Sequence, residues 1–347
     1  MGRHPWEANW EIADFPAGWA IHRRHRVRLV RSVASGAPGV LKPLARGSAR
    51  FRPEYRAGLF REAHYCAELS RRGAKAPRVL DTNAGLWRHR AEPLFVVYEY
   101  VEGLAPREML RDEPMAVRDA IVMGIALCET LGAVHREGLL HRDLLPDNVV
   151  MRGGRIDDIW LVDFGRAGPA DAGPRMRYGK FVEVPGFYDT GCELAQVCAI
   201  VHHCLTMARA EGIRAGATPP HRRPGFLLEE RARREPGDEA VICAVNLLFD
   251  RGLSADRARR FRSAGELGRA FEMALEGRAP PEPGSRIGDE RPSRGGFAGS
   301  SWAGWTGRFP WPLDATRAPF DMALDAVTAW LADAVGRVAG FPDCAAQ

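Results

Sequence analysis

Apolar positions change their spacing partway along the chain. Three short runs, "VRLVRSV" (27–33), "GVLKPL" (39–44) and "PLFVVYEYV" (93–101), are rich in β-branched and aromatic residues. They predict strands within 19–45 and 79–101. Between them, "YRAGLFREAHYCAELSRRG" (55–73) has helical spacing and a stop near Gly73. From about residue 115 the pattern is mostly helical. "AIVMGIALCETLGAVHREG" (120–138) predicts a long apolar-faced helix closed by Gly138. "NVVMRGGRIDDIWLVDFG" (148–165) reads as a hairpin turning at Gly153 and Gly154. Three further helices follow at 193–210, 238–251 and 263–276. A small strand-rich lobe followed by a larger helical lobe is an α+β arrangement.

The pattern breaks once. From Gly277 to about Pro312 the chain is rich in Pro, Gly and Ser and has no sustained period, as in a linker or extended tail. Beyond it, Phe320, Leu324, Val327, Leu331, Val335 and Val338 share one helical stripe. The predicted division is an N-terminal extension over 1–14, a main domain over 15–277, a linker over 278–312 and a helical tail over 313–347. Within the main domain the lobes meet near 101–102. The helix 320–338 is a candidate for a partner or dimer contact.

Composition narrows the class without naming it. The chain has 347 residues, 46% hydrophobic and 27% charged, as in ordinary globular proteins. No apolar run reaches the ~18 residues of a membrane span. The first residues have no apolar core like that of a secretory signal, and Gly2 lacks the downstream Ser/Thr of a myristoylation site. The 7 cysteines are odd in number and scattered through apolar segments, which points to reduced thiols and a cytoplasmic setting. A net charge of +5 over this length is too mild to indicate nucleic acid. Cys198 and His202 share a helix at metal-ligand spacing, but no second ligand pair accompanies them, so packing is the expectation.

The densest chemistry lies in "HRDLLPDN" (141–148) and "LVDFG" (161–165). Asp143, Asn148 and Asp163 fall at the ends of two adjacent short strands. The oxygens of Asn148 and Asp163 suit Mg²⁺, a hard cation that combines carboxylate and amide oxygen with phosphate. Asp143 is then left to accept a proton from an attacking hydroxyl. That division of labour is a phosphoryl-transfer arrangement.

These motifs resemble the protein-kinase-like superfamily, and within it the bacterial Ser/Thr protein kinases. "HRDLLPDN" is similar to the catalytic-loop pattern and "DFG" to the metal-binding motif. "GVLKPL" resembles the strand whose lysine holds the α- and β-phosphates, which implies that role for Lys42. Glu62 stands where the family's helix glutamate pairs with that lysine, with Glu68 as a nearby rival. "FVVYEYVEG" resembles the hinge, with Tyr98 at the gatekeeper place and the Glu99, Tyr100 and Val101 backbone facing adenine. Val27 and Val40 join the nucleotide-binding set. "LSADRARRFRSAGELGRAFE" is very like the last helices of the bacterial enzymes, with Arg260 in the buried-arginine position. The resemblance covers roughly 15–277. It implies a two-lobed kinase-like fold, an ATP- and Mg²⁺-dependent phosphotransferase, and a hydroxyl on a protein or small molecule as acceptor.

The departures bear on function as much as the matches. Val27 falls where a valine follows the family's glycine-rich loop, yet the loop region reads "AIHRRHRV". Arg23 and Arg24 are the expected replacements for the lost backbone grip on phosphate. Leu145 stands where a lysine usually supports the γ-phosphate. No APE segment is visible, and no Ser or Thr occurs between Gly165 and Asp189. Arg142, which in the family meets a loop phosphate, is expected to meet Glu183 instead. Three readings follow: an atypical Ser/Thr protein kinase, a small-molecule phosphotransferase on the same fold, and a pseudokinase interaction module.

Overall fold

The computed structural model describes residues 4–13, 27–44, 52–89, 91–110, 113–170, 188–210, 213, 215–224 and 237–280. All belong to the unit Met1–Pro292. Arg23, Arg24, Glu183 and the helix expected at 320–338 lie outside the described residues.

Among those residues the small lobe holds a five-stranded antiparallel sheet in the order β1-β2-β3-β5-β4. The strands are β1 Trp10–Ile12, β2 Arg28–Ser32, β3 Pro38–Pro43, β4 Val79–Thr82 and β5 Phe95–Glu99. One face packs Trp6, Trp10, Val30, Leu41, Phe95 and Val97 together. Alternation along β3 therefore sends Leu41 into this core and leaves Val40 and Lys42 together on the opposite face. Gly39 is required by close approach, because a Cβ there would lie 2.8 Å from Val97 and 3.0 Å from Trp10. Residues 5–12, which the sequence pattern assigns to an extension, supply a short helical turn and β1. The Trp10 indole N–H donates to Asp81 of β4 at 2.9 Å, drawing the sheet's two edges toward each other.

Helix α1 (Pro53–Arg71) starts at a proline and ends ahead of Gly73, whose φ is +83°. Its buried face carries Leu59, Glu62, Ala63, Cys66 and Leu69, a helical stripe. Arg56 on the same helix is only 1% exposed. Its guanidinium donates to the carbonyls of Leu86, Trp87, His89 and Glu92 at 3.1, 2.6, 2.7 and 2.9 Å, which satisfies the buried charge and pins that loop.

The larger lobe is built on α3 (Val117–Arg136), which follows the short α2 (Pro106–Met109). Helices α4 (Thr190–Thr206), α5 (Glu239–Gly252) and α6 (Ala264–Leu275) surround it. Gly124 lets Phe271 and Val201 close on α3, each 3.1 Å from where a Cβ would stand. Strands β6 (Gly103–Leu104), β8 (Val149–Arg152) and β9 (Ile159–Leu161) form a small sheet, and β7 (Leu139–Leu140) pairs with β10 (Gly168–Pro169). The β8–β9 hairpin turns through Gly153 and Gly154, both at positive φ. Gly103 has a stricter reason to be glycine: a Cβ there would lie 2.2 Å from the Met151 carbonyl oxygen. The architecture is a sheet lobe and a helical lobe, α+β and two-lobed.

Candidate active site

Between the lobes lies a pocket. Val27, Val40 and Lys42 wall it from the sheet, Glu99, Tyr100 and Val101 from the segment joining the lobes, and Asn148 and Asp163 from the helical lobe. Lys42 reaches it because it shares the β3 face of Val40. Tyr98 sits directly opposite Val40 in the ladder and closes the rear. Six of the eight residues expected at the nucleotide are therefore on one surface. The other two, Arg23 and Arg24, lie outside the described residues.

The centre is an ionic cluster. Lys42 Nζ donates to Glu62 Oε1 at 2.8 Å and Oε2 at 2.9 Å, and to Asp163 Oδ1 at 2.8 Å. Burial works against the ammonium, but Glu62 and Asp163 together outweigh it and raise the Lys42 pKa. Glu68, the alternative partner, instead bonds Arg71 and Arg72 at the C-terminal end of α1. Gly165 admits this packing, since a Cβ there would stand 3.1 Å from both Asp163 Oδ1 and Glu62 Oε2. Behind the cluster, burial pushes the Cys66 thiol and the Tyr98 hydroxyl up, with Glu62 adding to both, so each stays neutral.

Asp143 lies just outside the pocket, in the loop after β7. Its main-chain N–H donates to His141 Nδ1 at 3.3 Å, and His141 Nε2 donates to the Val162 carbonyl at 3.0 Å. His141 is fully buried and its ring packs on Phe164 at 4.7 Å. The histidine thus ties the Asp143 loop to the Asp163 strand end. The Asn148 amide donates through Nδ2 to the Asp143 carbonyl at 2.7 Å, which leaves its oxygen as the metal-competent atom. Asn148 and Asp163 both offer hard oxygen to the pocket, and that donor set fits Mg²⁺. Among the described residues no cluster of three His, Cys, Asp or Glu is arranged around a metal. Cys198 and His202 are buried on α4, where His202 packs edge-on against Phe249.

Two residues beside the pocket adopt left-handed backbone, Arg142 and Asp163, each with φ +62°. Arg142 is held there by Glu193, a residue the sequence pattern does not single out. The fully buried Glu193 carboxylate accepts the Arg142 main-chain N–H and, at 2.8 Å, His135 Nε2. Burial opposes its ionisation, but the His135 bond and charge outweigh burial and keep the Glu193 pKa low. The Arg142 guanidinium donates to the Pro169 carbonyl at 2.5 Å. Arg260 is buried, as its place in the sequence implies, and donates to the Ser254 carbonyl at 2.7 Å.

No family model matches the chain. Curated relatives do. It is 26% identical over 307 residues to the Serine/threonine-protein kinase PknB of Mycolicibacterium smegmatis, covering 82% of this chain and 45% of that protein. It is 27% identical over 297 residues to PknB of Mycobacterium tuberculosis, covering 78% and 43%. It is 26% identical over 275 residues to PknJ of Mycobacterium bovis, covering 72% and 43%. The chain spans less than half the length of these relatives. It is related to the protein-kinase-like superfamily, through bacterial Ser/Thr protein kinases. Among the described residues no helix is long and apolar enough to cross a membrane.

Proposed function

We propose that the chain is an ATP- and Mg²⁺-dependent phosphotransferase, an atypical Ser/Thr protein kinase that moves the γ-phosphoryl of ATP to a hydroxyl. The carrying observation is Lys42 held at 2.8 Å from both Glu62 and Asp163 in one pocket with Asn148. Adenine would lie against the Glu99–Val101 backbone between Val27 and Val40. Lys42 would hold the α- and β-phosphates, kept in place by Glu62. Asn148 and Asp163 would hold Mg²⁺, which when bound neutralises phosphate charge. Asp143, oriented by His141 and by the Asn148 amide, would take the proton of the acceptor hydroxyl. Leu145 favours a second reading, a small-molecule acceptor, because it removes the cation that protein kinases place beside the γ-phosphate.

The test is transfer from labelled ATP with Mg²⁺ to protein and to small hydroxyl compounds, for the parent and for Asp143→Asn. The variant keeps shape and loses proton acceptance, so transfer should fall roughly 10²–10⁴-fold while ATP affinity stays the same. A parent that binds no ATP would overturn the proposal. A variant with parental turnover would remove Asp143 from the role of base.

A further inference from the structure

We infer that Arg166 supplies the cation beside the transferred phosphoryl group that the catalytic loop itself lacks; this rests on the phosphotransferase reading above. Between Asp143 and Asn148 the loop runs Leu144, Leu145, Pro146 and Asp147, so it offers no positive charge. Leu145 is extended backbone at φ −130°, ψ 157°, directly before the turn that presents Asn148. The transferred group spreads negative charge over three oxygens. A dry or half-dry site with no cation at that point would leave this charge to Lys42 and the metal alone.

Arg166 stands where the missing charge is needed. It ends the short turn Phe164–Arg166 that begins directly after Asp163. Asp163 enters that turn in left-handed backbone and faces Lys42 in the pocket. Three residues later the chain has come round to Asp143, and Arg166 Nε lies 3.7 Å from Asp143 Oδ2. Among the described residues it is the one cation within ion-pair reach of that carboxylate. One turn therefore carries the metal-side acid at its start and a guanidinium against the base at its end. The path between these two carboxylates is the path of the phosphoryl group.

The Arg166 side chain also reaches solvent. At 3.7 Å the contact is ionic and longer than a hydrogen bond, and the Arg166 side chain is 51% exposed. A planar guanidinium has five donors and bonds phosphate oxygens in pairs. It can bridge Asp143 and a phosphoryl oxygen at once, which a lysine at 145 would do from the loop side. In the step itself the acceptor oxygen bonds to the γ-phosphorus. The bond to the bridging oxygen breaks, and its electron pair leaves on ADP. The hydroxyl proton goes to Asp143. Arg166 keeps its proton throughout and acts by charge alone.

The experiment uses the full chain with Mg²⁺ and four proteins: the parent, Arg166→Ala, Arg166→Lys, and Arg166→Ala combined with Leu145→Lys. Turnover of Arg166→Ala should fall roughly 10²–10³-fold, the scale for losing one preorganised charge donor at a transition state. Arg166→Lys should recover part of it, and Leu145→Lys should restore turnover in the Ala background. The second readout is binding by calorimetry of ADP and of the β,γ-methylene analogue of ATP. Arg166→Ala should weaken the analogue about tenfold and leave ADP unchanged, as one charged phosphate contact predicts. Unchanged turnover overturns the inference. So does lost turnover with no change in the analogue-to-ADP ratio and no rescue by Leu145→Lys, which would make Arg166 a structural partner of Asp143. A parent that neither binds the analogue nor transfers phosphate fails the underlying reading, and the inference with it.

Discussion

Replacing Glu193 by glutamine tests whether the helical lobe holds the loop 141–148 in its strained form. Glu193 Oε1 accepts the Arg142 main-chain N–H and lies 3.3 Å from the Tyr188 hydroxyl, while Oε2 faces His135 Nε2 at 2.8 Å. Glutamine has the same shape but only one acceptor oxygen. If that oxygen stays with Arg142, the new NH₂ faces His135. The imidazole must then turn its Nε2 lone pair inward and move its proton to Nδ1, a buried atom with no partner among the described residues. Losing a charge-assisted bond costs about 1.5–3 kcal/mol, and an unsatisfied buried donor about 1–3 kcal/mol. The sum, roughly 2.5–6 kcal/mol, corresponds to a fall in melting temperature of about 5–24 °C at ~2–4 °C per kcal/mol. If the oxygen turns to His135 instead, Arg142 loses its acceptor and would relax from φ +62°, carrying Asp143 with it, so kcat should fall while KM for ATP holds, because no pocket residue has changed. Calorimetric melting and steady-state kinetics read both effects. A melting temperature within about 2 °C of the parent, with parental kcat, would refute the anchoring argument.

Two further tests address stability. Hydrogen bonds from Arg71 and Arg72 hold the Glu68 pKa down to about 2, so its contribution is full above the ordinary carboxylate value and is lost as pH falls through about 2. Glu68→Gln should therefore be less stable than the parent at pH 7, with the gap closing in acid; a gap that stays constant from about pH 7 to about pH 2 contradicts the pairing. Gly103→Ala should destabilise by roughly 1–3 kcal/mol or more, because its Cβ would meet the Met151 carbonyl at 2.2 Å, while Gly85→Ala, with open space around it, serves as the neutral control. Equal melting temperatures for those two variants would show that the β6–β8 pair does not need its close approach.

The parts of the fold legible in the sequence are those whose chemistry is local. The helix 53–71 and the hairpin at 149–161 declare themselves by apolar period and by paired glycines. Lys42 stands out as one of three lysines, on an apolar strand. The parts that are not legible depend on chain segments far apart. Strand β1 has three residues, too few for a period, and is a strand only because β2 pairs with it. Gly103 is an unremarked glycine until Met151 lies across it. Glu193 in the first turn of a helix reads as an acid favoured by the helix dipole, and only burial beside His135 and Arg142 gives it another role. Arg166 is one of 46 arginines, and no sequence spacing tells which of them meets Asp143.

The two left-handed residues of the site, Arg142 and Asp163, explain why it draws on both lobes. Such backbone costs about 1–3 kcal/mol at a non-glycine residue and persists only where neighbours over-determine it. Arg142 is fixed from the helical lobe by Glu193 on α4, which His135 on α3 supports, and by the Pro169 carbonyl. Asp163 is fixed from the sheet lobe by Lys42 on β3, which Glu62 on α1 supports. Each strained residue thus has a charged side-chain anchor, Glu193 or Lys42, and a second residue that holds that anchor. His141 joins the two halves, since it accepts from Asp143 and donates to Val162 beside Asp163. A shift of α1 away from β3 would remove Glu62 from Lys42 and weaken the anchor on Asp163. The turn that starts at Asp163 would then no longer be bound to bring Arg166 to Asp143. A continuous chain of contacts therefore links one helix of the small lobe to the charge facing Asp143 in the large lobe, through the short turn from Asp163 to Arg166.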